Sequence, residues 1–472
     1  MRSNQTRATP SLRSGWRRVE SRIEPHRNVP RVAGHPWPRP TGAVRGPRVD
    51  RAASTGGAAM TPSAAPAPAV GSAWAVALAG AVSLAVAMGI GRFAFTPLLP
   101  MMLHDGLIDL PGSSWLASAN YLGYLAGALL CMLQPWIWAR TRWAAVDGPT
   151  ALRGGLVATG LLTLAMAVPL PVAWPWLRFA AGVASAVVFV YTSGWCLTEL
   201  AWRHASAMGG VMYAGPGIGI VVSGVFASAM VQWQWHARAG WLIFGVLALV
   251  LTALVWPRYR HGAAPRGGAP AAAPPRPFGA PPRTAEMAWL AAAYGLAGFG
   301  YIVTATFLPV IARTALPGSP WLDLFWPLFG LGVVVGAMLS TRLRISGDLR
   351  WLLCAGYVLQ AAAIAVSLVS PSLTGFAVGS VMLGVPFTAI TFFAMQEVRR
   401  LRPTMSASFM GLLTATYGVG QIVGPPLAAA LLRQAGSVGA GFTLSLKVAI
   451  GALLLGAAIY AAMSRAYPMR RA

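Results

Sequence analysis

Residues 89–102 read GIGRFAFTPLLPMM, and residues 298–311 read GFGYIVTATFLPVI. At one offset Gly89 falls on Gly298, Gly91 on Gly300 and Pro100 on Pro309. The same offset carries Leu122, Gly123, Gly127 and Ala128 onto Leu331, Gly332, Gly336 and Ala337. After a shift, Phe179 and Gly182 fall on Phe376 and Gly379, and one residue further Glu199 falls on Glu397. A Gly–Pro pair recurs as Gly215–Pro216 and Gly424–Pro425. Single matches among small residues are cheap; an ordered series is not. The chain therefore reads as two similar halves.

Each half is a set of long apolar runs. Of 472 residues, 56% are hydrophobic and only 10% are charged, against about 25% charged in a soluble domain. A membrane span needs about 20 apolar residues. Such runs occur near 73–102, 114–138, 152–171, 174–198, 205–231 and 238–257, then near 287–311, 321–341, 349–369, 372–396, 405–432 and 440–463. Barrel strands would be short and alternating. Continuous runs are helices, which satisfy their own backbone groups in lipid. The expected fold is an all-α membrane protein of twelve transmembrane helices in two six-helix, pseudo-symmetric bundles.

Flanking segments read differently. The net charge is +25, and the first 60 residues hold 12 arginines beside Glu20, Glu24 and Asp50. Residues 1–70 are rich in Arg, Ser, Pro and Gly and lack periodicity, which reads as disorder. An over-long start, with Met60 as the alternative, is favoured over a cytoplasmic tail or a transit peptide. Residues 258–286 are a Pro/Gly/Ala/Arg linker, dividing a bundle at 71–257 from one at 287–465, with a tail at 466–472. Lys447 is the sole lysine, a genome-composition bias and not a nucleic-acid footprint. Cys131, Cys196 and Cys354 fall inside spans without metal-ligand spacing. Neither a metal, a cofactor nor a nucleic-acid partner is expected.

Loop charge sets orientation. With the N-terminus inside, inner loops collect Arg140, Arg142, Arg153, Arg203, the linker arginines, Arg342, Arg344, Arg350, Arg399, Arg400 and Arg402, and the tail adds Arg465, Arg470 and Arg471. Outer loops hold Arg238, Arg313 and Arg433. The positive-inside rule puts both termini and the linker in the cytoplasm, for a multi-pass protein of the bacterial inner membrane.

MGIGRFAFTPLLPMM (88–102) followed by WLASANYLGYLAGALL (115–130) resembles the YbfB/YjiJ-type branch of the major facilitator superfamily. The resemblance spans about 70–465. It implies twelve helices, a central cavity and alternating access, and little about substrate. Arg178, Gly182, Ala184, Ser185 and Ala186 fit a pattern of proton-coupled members. The loop pattern after the second span is eroded: Arg140 and Arg142 remain without an acid, and its copy has Ser340 where Asp is expected.

Charges inside a membrane are functional candidates by default. Arg92 is read either as binding an anionic substrate group or as bonding carbonyls freed by Pro97 or snorkelling outward. Arg178 is read as tuning a proton carrier or binding substrate, or else as pinning two helices. Lys447 reads as snorkelling. Asn120 and Tyr124 share a helix face, as do Tyr191 and Trp195, and Tyr417 and Gln421; Tyr301 stands where Arg92 stands in the other half. Glu199, Arg203, Glu397 and Arg399 are expected to gate the inner mouth. Gly215, Pro216, Gly424 and Pro425 are expected hinges. His104 and Asp109 match an acyltransferase spacing without its fold context. The expected function is secondary transport of a small organic solute by a monomer, coupled to protons, with export favoured over uptake. Facilitated uptake without ion coupling and a non-transporting sensor are the alternatives. The charged end of the solute is expected on the first half, with the second half supplying an aromatic wall.

Overall fold

The computed structural model describes residues 70–141, 146–259, 284–319, 321–343, 347–402 and 406–468. The tail at 1–69 with its Met60 start, linker residues 260–283, Arg142, Arg344, Arg470 and Arg471 lie outside the described residues. Regular structure among the described residues is helical. The first half comprises α1 (Ala73–His104), α2 (Leu110–Arg140), α3 (Gly148–Ala165), α4 (Trp174–Trp202), α5 (Ser206–Gln232) and α6 (Ala237–Val255). The second comprises α7 (Thr284–Ala315), α8 (Phe325–Arg342), α9 (Leu349–Val369), α10 (Leu373–Leu401), α11 (Ser406–Gln434) and α12 (Val438–Ala466).

By length and apolar composition, 11 of these helices are long enough to cross a membrane, where twelve were expected. The exception is α3. Its 18 residues include four glycines, Pro149, Arg153 and three threonines, which dilute its apolar content. It packs on α4 and α6, so the bundle covers part of what a lone span would expose to lipid.

The repeat survives as geometry. A Cβ on Gly123 would sit 1.9 Å from Phe179 O, and one on Gly336 would sit 1.8 Å from Val385 O. These glycines let α2 lie against α4 and α8 against α10 at backbone contact. The same contacts correct the alignment beyond the second span. Gly123 faces Phe179 and Gly127 faces Val183, whereas Gly332 faces Val381 and Gly336 faces Val385. Phe179 therefore corresponds to Val381, and Gly182 to Gly384 rather than Gly379. Gly182 lies against Asn120 O just as Gly384 lies against Phe329 O. Carried along the helix, this register pairs Arg178 with Ser380, and Glu397 with Trp195 rather than Glu199. The Gly–Pro pairs also fall out of register. Gly89 faces Gly219, whereas its equivalent Gly298 faces Tyr417, so Pro216 does not fall on Pro425. Gly and Pro recur often enough in these helices that their letters align at the wrong turn.

A further equivalence escaped the sequence comparison. Near the start of α3, Arg153 Nη2 donates to Trp256 O, just past α6, at 3.0 Å. Near the start of α9, Arg350 donates to Met463 O at 3.3 Å and to Tyr467 O at 2.7 Å, at the end of α12. In each half the third helix thus clamps the end of the sixth through an arginine.

At the opposite end of the bundle, Asp105 ties α1 to α6. Its carboxylate accepts from Ala237 N at 2.7 Å and lies 3.1 Å from His236 Nδ1. Burial pushes this carboxyl upward, but the Ala237 N–H and the His236 ring outweigh it and hold it below its ordinary range. A carboxylate lowered by folding stabilises the fold above its unfolded pKa of about 4, and that stability is lost as pH falls through the lower folded value. Asp105→Asn is expected to melt earlier than the parent at pH 7. Thermal scans should show the gap closing below pH 4; a gap that persists there would exclude ionisation as the cause.

Candidate functional site

The site begins with an irregular helix. α1 winds as a π-helix over Ala85–Arg92, is interrupted at Phe93 and Ala94, and resumes at Phe95. π-bulges concentrate at functional sites. Pro97 lacks an N–H, and Thr96 N–H turns to Phe93 O at 3.1 Å instead of to Arg92 O one helical turn back. Arg178 supplies the missing donors. Its Nη1 reaches Gly91 O at 3.2 Å and its Nη2 reaches Arg92 O at 3.0 Å. Ser185, two turns along α4, donates to Ala87 O at 2.8 Å. The Arg178…Ser185 pattern is thus a clamp on the backbone of α1. Asn120 backs it by donating to Arg178 O at 2.9 Å.

Holding the backbone in this way frees the Arg92 side chain. Arg92 is 2% exposed, and it takes neither of the outward courses that snorkelling or capping would require. It points across the bundle, where Nη2 donates to Gln421 Oε1 of α11 at 2.7 Å. Its guanidinium carbon lies 4.0 Å from the Tyr124 ring centroid and 5.0 Å from that of Tyr121. Gln421 donates in turn to the Tyr301 hydroxyl. Tyr301 stacks on Tyr417 with centroids 5.9 Å apart, and Tyr417 stacks on Tyr294 at 4.8 Å. Tyr294 donates to Thr391 Oγ1 at 3.0 Å. A cation from the first half therefore meets an amide and three stacked phenols from the second.

The hydrogen-bonding capacity of Arg92 is only partly used within the protein. Burying an ion costs several kcal/mol even after relaxation. One hydrogen bond to a charged group returns about 1.5–3 kcal/mol, and a desolvated cation–π contact about 2. The Arg92 Nε and Nη1 hydrogens have no partner. The side chain is held under strain of desolvation that a further acceptor would relieve.

Next to this layer the two halves are stitched together on the side away from the termini. Thr96 Oγ1 donates to Ala305 O at 3.0 Å, Tyr121 and Thr306 hydroxyls lie 2.9 Å apart, and Ser118 Oγ donates to Ile422 O at 2.9 Å. The part of α1 that packs on α7 is Phe95–His104.

The remaining candidates lie elsewhere. Tyr191 donates to Gln134, joining α4 to α2 nearer the termini end. Glu199 pairs with Arg203 one turn on, within α4's own end. Glu397 is fully buried and lies 3.7 Å from Arg350 Nε and 3.6 Å from Arg400 Nη1, not against exposed Arg399. Arg350 also binds Glu286 at 3.0 Å and Asp348 at 2.9 Å. α5 is interrupted at Ala214, just before Gly215–Pro216, whereas α11 continues through Gly424, Pro425 and Pro426. Asp109 caps α2 by accepting from Gly112 N at 2.7 Å, and His104 is exposed. An apolar groove of about 410 Å³ between α3 and α4, lined by Gly155, Ala158 and Phe179 among others, is remote in character from this chemistry.

Sequence reasoning found Arg92, Tyr124, Tyr301, Tyr417 and Gln421 but missed Tyr121, Tyr294 and Glu286. Tyr294 was detectable, since it precedes Tyr301 by two helical turns and so shares its face. That Arg92 would meet Gln421 had no sequence signal.

Two six-helix halves meeting on a buried cationic and aromatic layer define a membrane transporter of the major facilitator type. Residues 84–461 match the family described as the uncharacterised MFS-type transporter YbfB, and the chain belongs to that family. It is a multi-pass membrane transporter and not an enzyme. No curated protein matches the sequence. Among solved structures, the nucleoside transporter NupG aligns with a TM-score of 0.62 at 13% identity, covering 82% of this chain and 99% of that one. A bacterial homologue of the human lysosomal transporter Spinster, in an inward-facing and unoccupied conformation, aligns at 0.61 and 13%, covering 85% and 98%. These likenesses concern the fold.

Proposed function

We propose that the chain carries a small organic solute across the bacterial inner membrane by alternating access, with Arg92 as its central binding group. The observation that carries this reading is the Arg92–Gln421 hydrogen bond. It joins the halves at the layer where a solute must be exchanged between them. The stitched end, away from the termini, is then the outer gate, with both termini cytoplasmic. Glu199–Arg203 and Glu397–Arg400 each lie within one half; they are the pairs that would exchange partners as the inner mouth closes, with the break before Gly215–Pro216 as hinge.

Proton coupling, with export as the direction, belongs to the same reading. Glu397 is its candidate carboxylate: it is fully buried, with no hydrogen-bond partner on either oxygen. The protein works as a monomer in this scheme.

Proteoliposomes with and without an imposed proton gradient test it. Arg92→Ala is expected to lower solute flux at least tenfold, by about 1.4 kcal/mol or more of lost binding, in protein that still expresses and folds. Flux equal to the parent would remove Arg92 from the site. Flux indifferent to the gradient would remove the proton.

A further inference from the structure

We propose that the solute is an aromatic carboxylate, held with its carboxylate on Arg92 and its ring along the tyrosine stack of α7 and α11. The inference rests on the central-site reading above and deepens it. Its first support is a charge account. Of the 11 acidic residues, Glu20, Glu24 and Asp50 lie outside the described residues. The others are committed elsewhere. Asp105 and Asp109 hold helix ends, and Asp147 precedes α3 and has its own partner. Glu199 and Asp323 pair with Arg203 and Arg313. Glu286, Asp348 and Glu397 surround Arg350. None reaches the centre, where Arg92 and Arg178 are both 2% exposed. A cationic solute is therefore disfavoured, and an anion is the solute that best compensates the buried Arg92 charge.

The second support is the supply of donors. Arg178 already spends both Nη groups on Gly91 O and Arg92 O and has only Nε left over, whereas Arg92 keeps both Nε and Nη1 unpaired. One available guanidinium suits a monoanionic carboxylate better than a dianionic phosphate. The third is the wall. Tyr294, Tyr417 and Tyr301 lie in near-parallel planes, inclined by 29° and 23°, an aromatic lining in place of the dense hydrogen-bonding groups a polyol needs. Offset ring packing is the favoured way to fill such a wall. A bidentate carboxylate needs Nη2 beside one of the two unpaired nitrogens, so it would displace Gln421 Oε1 from Nη2. Binding would thereby loosen a bond that joins the halves.

Binding of benzoate, 4-hydroxybenzoate, benzamide and acetate to the full chain in nanodiscs, by calorimetry, tests the class. The two ring acids are expected to bind at least about tenfold tighter than benzamide, which has the shape without the charge, and than acetate, which has the charge without the ring. Arg92→Gln should erase the preference over benzamide. Equal binding of benzoate and benzamide, a preference that survives Arg92→Gln, or no binding of either ring acid overturns the proposal. Spin labels on the termini ends of the two halves separate this from the transport reading. A single inter-half distance under every condition defeats transport itself, whereas two distances without an acid preference defeat only the anion class.

Discussion

Arg178→Ala is expected to cost the protein about 2–6 kcal/mol of stability, from two buried carbonyl acceptors at about 1–3 kcal/mol each. The two acceptors are Gly91 O and Arg92 O. Both sit where α1 passes out of its π-turn, and water does not reach them. Losing the clamp also frees the backbone that aims the Arg92 side chain, so transport should fall with stability. Arg178→Lys is expected to recover less than half of the loss. A single ammonium cannot reproduce a planar fork spanning two carbonyls. Arg92→Ala should behave differently. It removes one hydrogen bond to Gln421 together with a partly compensated buried charge, two opposing effects, so melting should fall less than in Arg178→Ala while transport fails. Heating detergent-solubilised protein and following monodispersity reads the difference. An Arg178→Ala variant that melts with the parent would show that the clamp contributes nothing to the fold.

The second large effect lies at the helix crossings. Gly336→Ala places a Cβ 1.8 Å from Val385 O, and Gly123→Ala places one 1.9 Å from Phe179 O. Neither neighbour is a side chain that can rotate away; both are helix backbone. The helices must part by more than an ångström along lengths that pack closely, so each substitution is expected to cost more than the roughly 1–3 kcal/mol typical of overpacking. Gly154→Ala and Gly451→Ala are the controls, because a Cβ there meets nothing within 4 Å. They should gain up to about 0.5–1 kcal/mol from the reduced freedom of the unfolded chain. Similar melting for all four would refute the backbone contacts that set the repeat register.

That register shows how sequence and structure divide the information. Apolar run length depends only on composition along the chain, and lipid leaves helices as the available answer. The two halves, the close-approach glycines of α2 and α8, and the rarity of Arg92 within an apolar run were therefore readable in one dimension. The limits of that reading are equally physical. Gly182 and Gly379 match as letters, yet which glycine meets which carbonyl depends on how far α4 and α10 slide along their partners. Arg92 and Arg178 look alike as intramembrane arginines. Only packing gives one the carbonyls of a broken helix and leaves the other's Nε and Nη1 unpaired. Glu397 reads as a helix-end acid, and only the approach of α9 buries it beside Arg350. The sequence by itself determined the solvent, the helices and the two-fold plan, because those follow from local composition and periodicity. The tertiary structure alone decided which arginine holds the fold and which faces Gln421 across the halves, because a side chain's role depends on the acceptors that distant helices bring to it.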